Sequence, residues 1–193
     1  MARTRWQDER SVADSRDYAQ RLAEQASRGV DQHGEARLLD ALLARGSRVL
    51  DAGCGTARVG AELAARGHLV TGVDADEVLV AAVPARSGLR VHHADLSELD
   101  LPGEVFDAAV AAGNVMVYLA PGTERAVLAR VLAHLRPDAI FVTGFATDRV
   151  YSLAQFDDDA AAVGFRAESR FATWDLRPWH EGRDWVVTVL RSP

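Results

Sequence analysis

Apolar positions change their spacing several times along the chain, and each change marks an element. Residues 8–28 carry many charges, with Val12, Tyr18, Leu22 and Ala26 weakly spaced before Gly29; this predicts one surface helix. Glu35 to Arg45 sets Leu38, Leu39, Leu42 and Leu43 on one helical face, closed by Gly46. Ser47 to Asp51 then reads as a strand entering a glycine-rich turn, and Ala57 to Arg66 as a helix with Val59 and Leu63 inward. His68 to Asp74 is a second strand, followed by a short helix, Glu77 to Val83, limited by Pro84. Leu89 to His93 and Phe106 to Ala112 are the third and fourth strands.

Thr123 is placed to cap a helix whose stripe (Val127, Leu128, Val131, Leu132 and Leu135) runs up to Pro137. Ile140 to Phe145 is a fifth strand, and Leu153 to Val163 a helix ended by Gly164. Phe165 to Trp174 and Asp184 to Leu190 are two last strands with no helix between them. Strands alternating with helices predict an α/β fold: a doubly wound, mostly parallel seven-stranded sheet covered on both faces. The last two strands must close it as an antiparallel hairpin.

A length of 193 residues fits one domain, and 48% apolar with 26% charged residues is enough for a sizeable core and excludes wholesale disorder. The net charge of −6 argues against a nucleic-acid partner, whose phosphates demand a basic footprint. Cys54 is the one cysteine, so no internal disulfide and no thiolate-built zinc site is expected; no metal is. Met1 to Arg10 has no apolar run, and Ala108 to Pro121, interrupted by Gly113 and Asn114, is too short to span a membrane. These readings predict a soluble, cytoplasmic chain without a membrane partner, and they set no oligomeric state.

The chemistry starts at Val49-Leu-Asp-Ala-Gly-Cys-Gly-Thr-Ala57. Glycines at 53 and 55 let a backbone lie flush against a ligand, and the helix that follows offers free N–H groups. Arg58 stands where a dinucleotide fingerprint requires its third glycine. Asp51, at the end of the strand, would repel a pyrophosphate and attract an ammonium or sulfonium. Asp74 ends the second strand, 21 residues beyond Gly53, where a carboxylate meets ribose hydroxyls in such sheets. Asp95 follows the third strand, in position for an adenine amino group. Each acid alone could be a helix cap or a solvated strand end. Three of them at the carboxyl ends of successive strands point to a ligand.

These residues resemble the class I S-adenosylmethionine-dependent methyltransferases over nearly the whole chain. Residues 49–57 are similar to the family's first motif, Asp-x-Gly-x-Gly-x-Gly, and Thr71-Gly-Val-Asp74 to its ribose-binding strand end. Ala94-Asp95 resembles the adenine-contacting pair, Phe106 to Gly113 the fourth strand, and Leu135-Arg-Pro-Asp-Ala139 the Leu-x-Pro-Gly-Gly turn before the fifth. Two departures stand out: Ala57 for the motif's last glycine, and Asp138-Ala139 for a glycine pair. The resemblance implies S-adenosylmethionine as cofactor, held by Asp51, Gly53, Cys54, Gly55, Asp74, Ala75, Ala94, Asp95 and Gly113. It also implies that residues 1–32, which include Trp6, fold as a helical lid over a 33–193 core, bringing Tyr18 and His33 to the cofactor.

Other features read more plainly. Cys54 is a packing element rather than a nucleophile, and His92 and His93 alternate faces and cannot easily share a metal. Trp174, Trp179 and Trp185 read as sheet packing, with Trp179 and His180 in a loop a lesser pocket candidate. Asn114 either lines the acceptor pocket or forms a turn; Tyr118, Asp148 and Arg149, with Thr147 and Tyr151, lie on the same edge. The expected function is methyl transfer from S-adenosylmethionine to oxygen or nitrogen of a small molecule, with no certain catalytic residue. A non-catalytic module that binds or senses the cofactor remains as an alternative, and a nicotinamide-dependent oxidoreductase is disfavoured by Asp51 and Arg58.

Overall fold

A computed structural model describes residues 3–193; Met1 and Ala2, which open the expected lid segment, lie outside the described residues. Seven strands form one sheet: β1 (Arg48–Ala52), β2 (Leu69–Asp74), β3 (Leu89–His93), β4 (Phe106–Ala111), β5 (Leu135–Ala146), β6 (Arg166–Phe171) and β7 (Trp185–Arg191). Their spatial order is β3-β2-β1-β4-β5-β7-β6. The first five are parallel, while β7 runs antiparallel between β5 and β6. The register aligns Asp51 with Gly72 and Val110, and Asp74 with His93, so the carboxyl ends of β1 to β4 share one edge. At that edge the strand order reverses between β1 and β4, which is where open α/β sheets hold ligands.

Among the described residues eight α-helices connect and cover the strands: α1 (Arg5–Glu9), α2 (Val12–Ser27), α3 (Gly34–Leu42), α4 (Arg58–Ala65), α5 (Glu77–Ala81), α6 (Val115–Tyr118), α7 (Glu124–Ala133) and α8 (Leu153–Val163). Alternating side chains of the buried strands feed two apolar cores, one per face. Leu50, Ala109, Phe141 and Phe145 meet Leu128 and Phe156 on one side. Val49, Val70, Val110 and Val142 meet Leu39, Val59 and Leu63 on the other. The three C-terminal tryptophans divide between them: Trp174 and Trp185 pack on the second core, Trp179 on the first.

Several boundaries differ from the expected ones, each for a local reason. Residues 8–28 are two helices. Thr4 with Gln7 and Ser11 with Asp14 each form a reciprocal capping box, and Arg10 between them is extended (φ −124, ψ 134). The helix expected to Arg45 stops at Leu42, since Leu43 is already extended. The stripe read to Pro137 ends at Ala133, and Leu135 opens β5 instead, opposite Phe106 and ahead of a bulge. Thr123 sits at the N-cap position, but its hydroxyl donates back to Ala120 O at 2.7 Å rather than capping the helix. Asp138, in the place of a family glycine, takes the left-handed backbone that position requires (φ 61).

Candidate active site

β1 delivers Asp51 into a loop with left-handed backbone at alternate positions: Gly53 (φ 75), Gly55 (φ 54) and Ala57 (φ 54). A Cβ on Gly53 would stand 2.5 Å from Val115 Cγ2 at the start of α6, so only glycine fits there. Ala57 is fully buried and holds a conformation that costs an L-residue about 1–2 kcal/mol. The loop is tied to β2 on both sides. Gly53 and Cys54 donate their N–H groups to Val73 O (2.8 and 3.1 Å), and Gly55 N–H donates to Asp74 Oδ2 (2.7 Å). Asp74 Oδ1 accepts from Asp76 N–H (2.8 Å), and Asp51 Oδ2 from Gly60 N–H (2.9 Å) inside α4.

A cavity opens above this loop. Asp51, Asp74, Asp76 and Asp95 enter its wall from the strand ends, Gly113, Val115 and Tyr118 from the β4–α6 side, Tyr18 and Leu22 from α2, and Thr4 and Trp6 from α1. Helix α1 borders the cavity through Thr4 and Trp6, and its first turn is fastened on two sides. Trp6 Nε1 donates to Asp76 Oδ2 (2.8 Å), where Ser15 Oγ also donates (2.5 Å), and Gln7 Nε2 donates to Ala75 O (3.2 Å). Opposite, Arg5 Nη1 donates to Leu119 O (2.9 Å) and to Glu124 Oε1 (2.9 Å), an ion pair whose side chains are 17% and 8% exposed. Trp6 stands edge-on to Tyr18 (5.5 Å) and Tyr118 (5.4 Å). Asp76 Oδ1 meanwhile caps α5 through Val78 and Leu79 N–H, so one carboxylate ties α5 to both α1 and α2.

Of the residues singled out in the sequence, Asp51, Gly53, Cys54, Gly55, Asp74, Ala75, Asp95, Gly113, Tyr18 and Tyr118 line this cavity. Ala94, His33, Asn114, Asp148 and Arg149 do not. Ala94 serves through its backbone, donating to Asp74 O (2.9 Å). His33 lies at the start of α3, 3.8 Å from Glu62. Asn114 resolves as a turn former: its backbone is left-handed (φ 74), and Oδ1 accepts from Ala146 N–H at 2.7 Å. Asp148 and Arg149 are exposed and face each other at 3.7 Å. The wall residues that the sequence did not single out as site residues include Thr4, Trp6, Arg58 and Asp76. Asp76 stands two residues before Val78-Leu79 at the N-cap of α5, a local pattern that signals a cap and carries no sign of a cavity wall.

Comparison with known proteins bears on this geometry. A family model described as a methyltransferase domain matches residues 49–138. A TehB-like SAM-dependent methyltransferase from Corynebacterium glutamicum is 37% identical with a TM-score of 0.88, over 95% of this chain and 100% of that one. The chain belongs to the S-adenosylmethionine-dependent methyltransferases. An uncharacterized methyltransferase of Mycobacterium tuberculosis is 40% identical over 77 residues, which is 38% of this chain and only 39% of that relative. The methyltransferase CcbJ of Streptomyces caelestis shares the fold, with a TM-score of 0.73 at 20% identity over 82% of this chain and 89% of that one. S-adenosylmethionine is the cofactor of this methyltransferase, and its wall fits such a ligand. A Cβ on Gly113 meets nothing within 4 Å and one on Gly55 only Leu79 at 3.7 Å, so both backbones stand open to the cavity.

Burial sets the charge states of the methyltransferase's wall. Desolvation pushes the Asp51 carboxyl up to about 7, against the opposing pull of Gly60 N–H and Arg58. Asp74 is raised for the same reason, again opposed by its two backbone donors. Burial, with Asp51 and Asp74 nearby, also raises the Cys54 thiol, which leaves it a neutral packing group at neutral pH. Burial raises the Tyr18 phenol as well, so it stays protonated and able to donate. No helix among the described residues is long and apolar enough to cross a membrane.

Proposed function

We propose that this methyltransferase modifies an oxygen or nitrogen atom of a small molecule enclosed beneath α1. The observation that carries the reading is the strap itself: α1 is anchored to the β2–α5 loop on one side and to α6–α7 on the other, above a wall of acids and aromatic rings. An opening bordered by a fastened helix suits a metabolite better than a polymer, and the −6 charge offers no track for phosphates.

When bound, the cofactor supplies a methyl group on a sulfonium, open to in-line displacement. In our reading Asp51 faces the positive charge of its amino-acid end, Asp74 accepts from the ribose hydroxyls, and Asp95 meets the adenine amino group. Gly53, Gly55 and Gly113 let backbone lie against it. Trp6, Tyr18 and Tyr118 surround the acceptor and exclude water when the strap is down. Alignment rather than a strong base accounts for the rate, since orientation alone supplies about 7–11 kcal/mol of barrier reduction.

Calorimetric titration checks the cofactor: S-adenosylhomocysteine should bind and NAD should not. Labelled-methyl transfer into a metabolite extract checks the acceptor class. NAD binding as tight as S-adenosylhomocysteine, or methylation of tRNA or duplex DNA with no small-molecule product, overturns the proposal.

A further inference from the structure

At the sheet edge opposite the candidate active site, a second cavity of about 440 Å3 opens among the amino ends of β1 to β4. Arg48, Leu69, Leu89 and Phe106 each begin one of these strands and line it. Register sets Arg48 opposite Leu69 and Thr71 opposite Arg90, so these four side chains share one face of the sheet. Glu104, in the connection before β4, draws them together. Its Oε2 accepts from Arg48 Nη2 (3.3 Å), Arg90 Nη2 (3.0 Å) and Thr71 Oγ1 (3.2 Å). Thr71 is 2% exposed and the Glu104 side chain 17%, so the arrangement is built into the fold. Arg86 adds a third guanidinium from the segment just before β3.

One carboxylate cannot balance three guanidiniums. Two positive charges remain, in a chain whose net charge is −6. Asp107 is already engaged by the backbone N–H of Arg48 and by Arg136 Nη1. Two donors also stay open among the described residues: Arg48 Nε is buried without an acceptor, and the Arg86 side chain makes no hydrogen bond or ion pair. A buried N–H left unpaired in a native fold marks the place of a water, an ion or a ligand, and crowded cations select an anion. Guanidinium forks match phosphate oxygens two at a time. Leu69, 55% exposed, and Leu89 give the same cavity an apolar side.

We propose that this cavity binds a phosphate monoester with a small apolar body, its phosphate held by Arg48, Arg86 and Arg90. Glu104 and Thr71 position the guanidiniums of Arg48 and Arg90, and the apolar side takes the carbon skeleton of the ester. The site lies at the opposite ends of β1 and β2 from Asp51 and Asp74, so it is separate from the methyl-transfer cleft.

Calorimetry with three probes tests it: phenyl phosphate, inorganic phosphate and benzyl alcohol. Phenyl phosphate should bind once per chain and about 10-fold or more tighter than inorganic phosphate, because its ring is buried as well; benzyl alcohol should not bind measurably. Arg86→Gln and Arg90→Gln should each weaken phenyl phosphate by about 10- to 150-fold, the range of one charged hydrogen bond. Neither variant should move S-adenosylhomocysteine affinity by more than about threefold, since both positions lie outside the cleft. Arg86 has no partner to lose, so Arg86→Gln keeps the test open even where Arg90→Gln fails to fold. Absence of phenyl phosphate binding at millimolar concentration overturns the proposal, and so does an affinity in Arg86→Gln within about threefold of wild type. Equal binding of phenyl and inorganic phosphate, or displacement of phenyl phosphate by S-adenosylhomocysteine, overturns it too, the second by placing the ligand in the methyl-transfer cleft.

Discussion

A carboxyl group cut off from water keeps its proton until something positive stands beside it, and Asp51 is only 2% exposed. Its folded value of about 7 lies above the unfolded value near 4, so the folded chain holds a proton that the unfolded chain has lost across that window. The stabilisation is therefore complete below about pH 4 and lost as pH rises to about 7. A ligand ammonium placed beside it reverses the balance by favouring the ionised form. Affinity for S-adenosylhomocysteine should rise between pH 6 and 8, and Asp51→Asn should flatten that slope; calorimetric titration across the range reads both. Asp74 acts differently, because its oxygens already hold the backbone of Gly55 and Asp76. Asp74→Ala should weaken S-adenosylhomocysteine by about 10- to 150-fold. It should also lower Tm, since two N–H groups lose their acceptor. An affinity change under about threefold in the folded variant would exclude Asp74 as the ribose acid.

At the scale of elements, α1 is too short to be stable by its own hydrogen bonds and depends on what it touches. Trp6→Phe keeps an aromatic ring between Tyr18 and Tyr118 but deletes the donor to Asp76. Hydrogen exchange over residues 5–9 should accelerate, and S-adenosylhomocysteine should dissociate about 10-fold faster or more, with the melting temperature little changed. Unaltered exchange and release would show that the Trp6 donor does not hold the strap down. The legibility of the chain follows the same division. β1, β2 and β4 were readable because buried parallel strands are short apolar runs, whereas the edge strand β3 keeps only Leu89 and Val91 as apolar positions. Asp51, Asp74 and Asp95 were readable because each stands at or just past a strand's end. Helices α1 and α2 merged into one because charged surface segments carry little periodicity, although Ser11 and Asp14 held the boundary in plain view. Leu135 fits a helical stripe and a strand opening equally well, and only its pairing with Phe106 decides. Trp6 on Asp76 and Arg5 on Glu124 join positions far apart in sequence, for which one sequence holds no local signal. Asn114, Asp148 and Arg149 were placed on the right edge by topology, yet edge placement does not say which way a side chain turns.

Over the whole molecule, the sheet edge, the glycine loop and the strap enclose the chain's single thiol. Cys54 sits against β2 so closely that a Cβ on Gly72 would come within 2.9 Å of its sulfur. Half-buried against β2 and held protonated, it should react slowly with an alkylating reagent while the loop is seated. The chain has no other cysteine, so labelling stoichiometry at native pH counts a single event. Iodoacetamide should modify the folded protein far more slowly than the urea-unfolded chain, and S-adenosylhomocysteine should slow it further; intact-mass measurement over time reads the rate. Modification as fast as in urea would mean that the loop is not seated over the thiol in solution. Where opening and reclosing outpace the reagent, that rate measures the fraction of time the cleft stands open. The sulfur that contributes nothing to methyl transfer thus gives this enzyme a built-in clock for its own breathing.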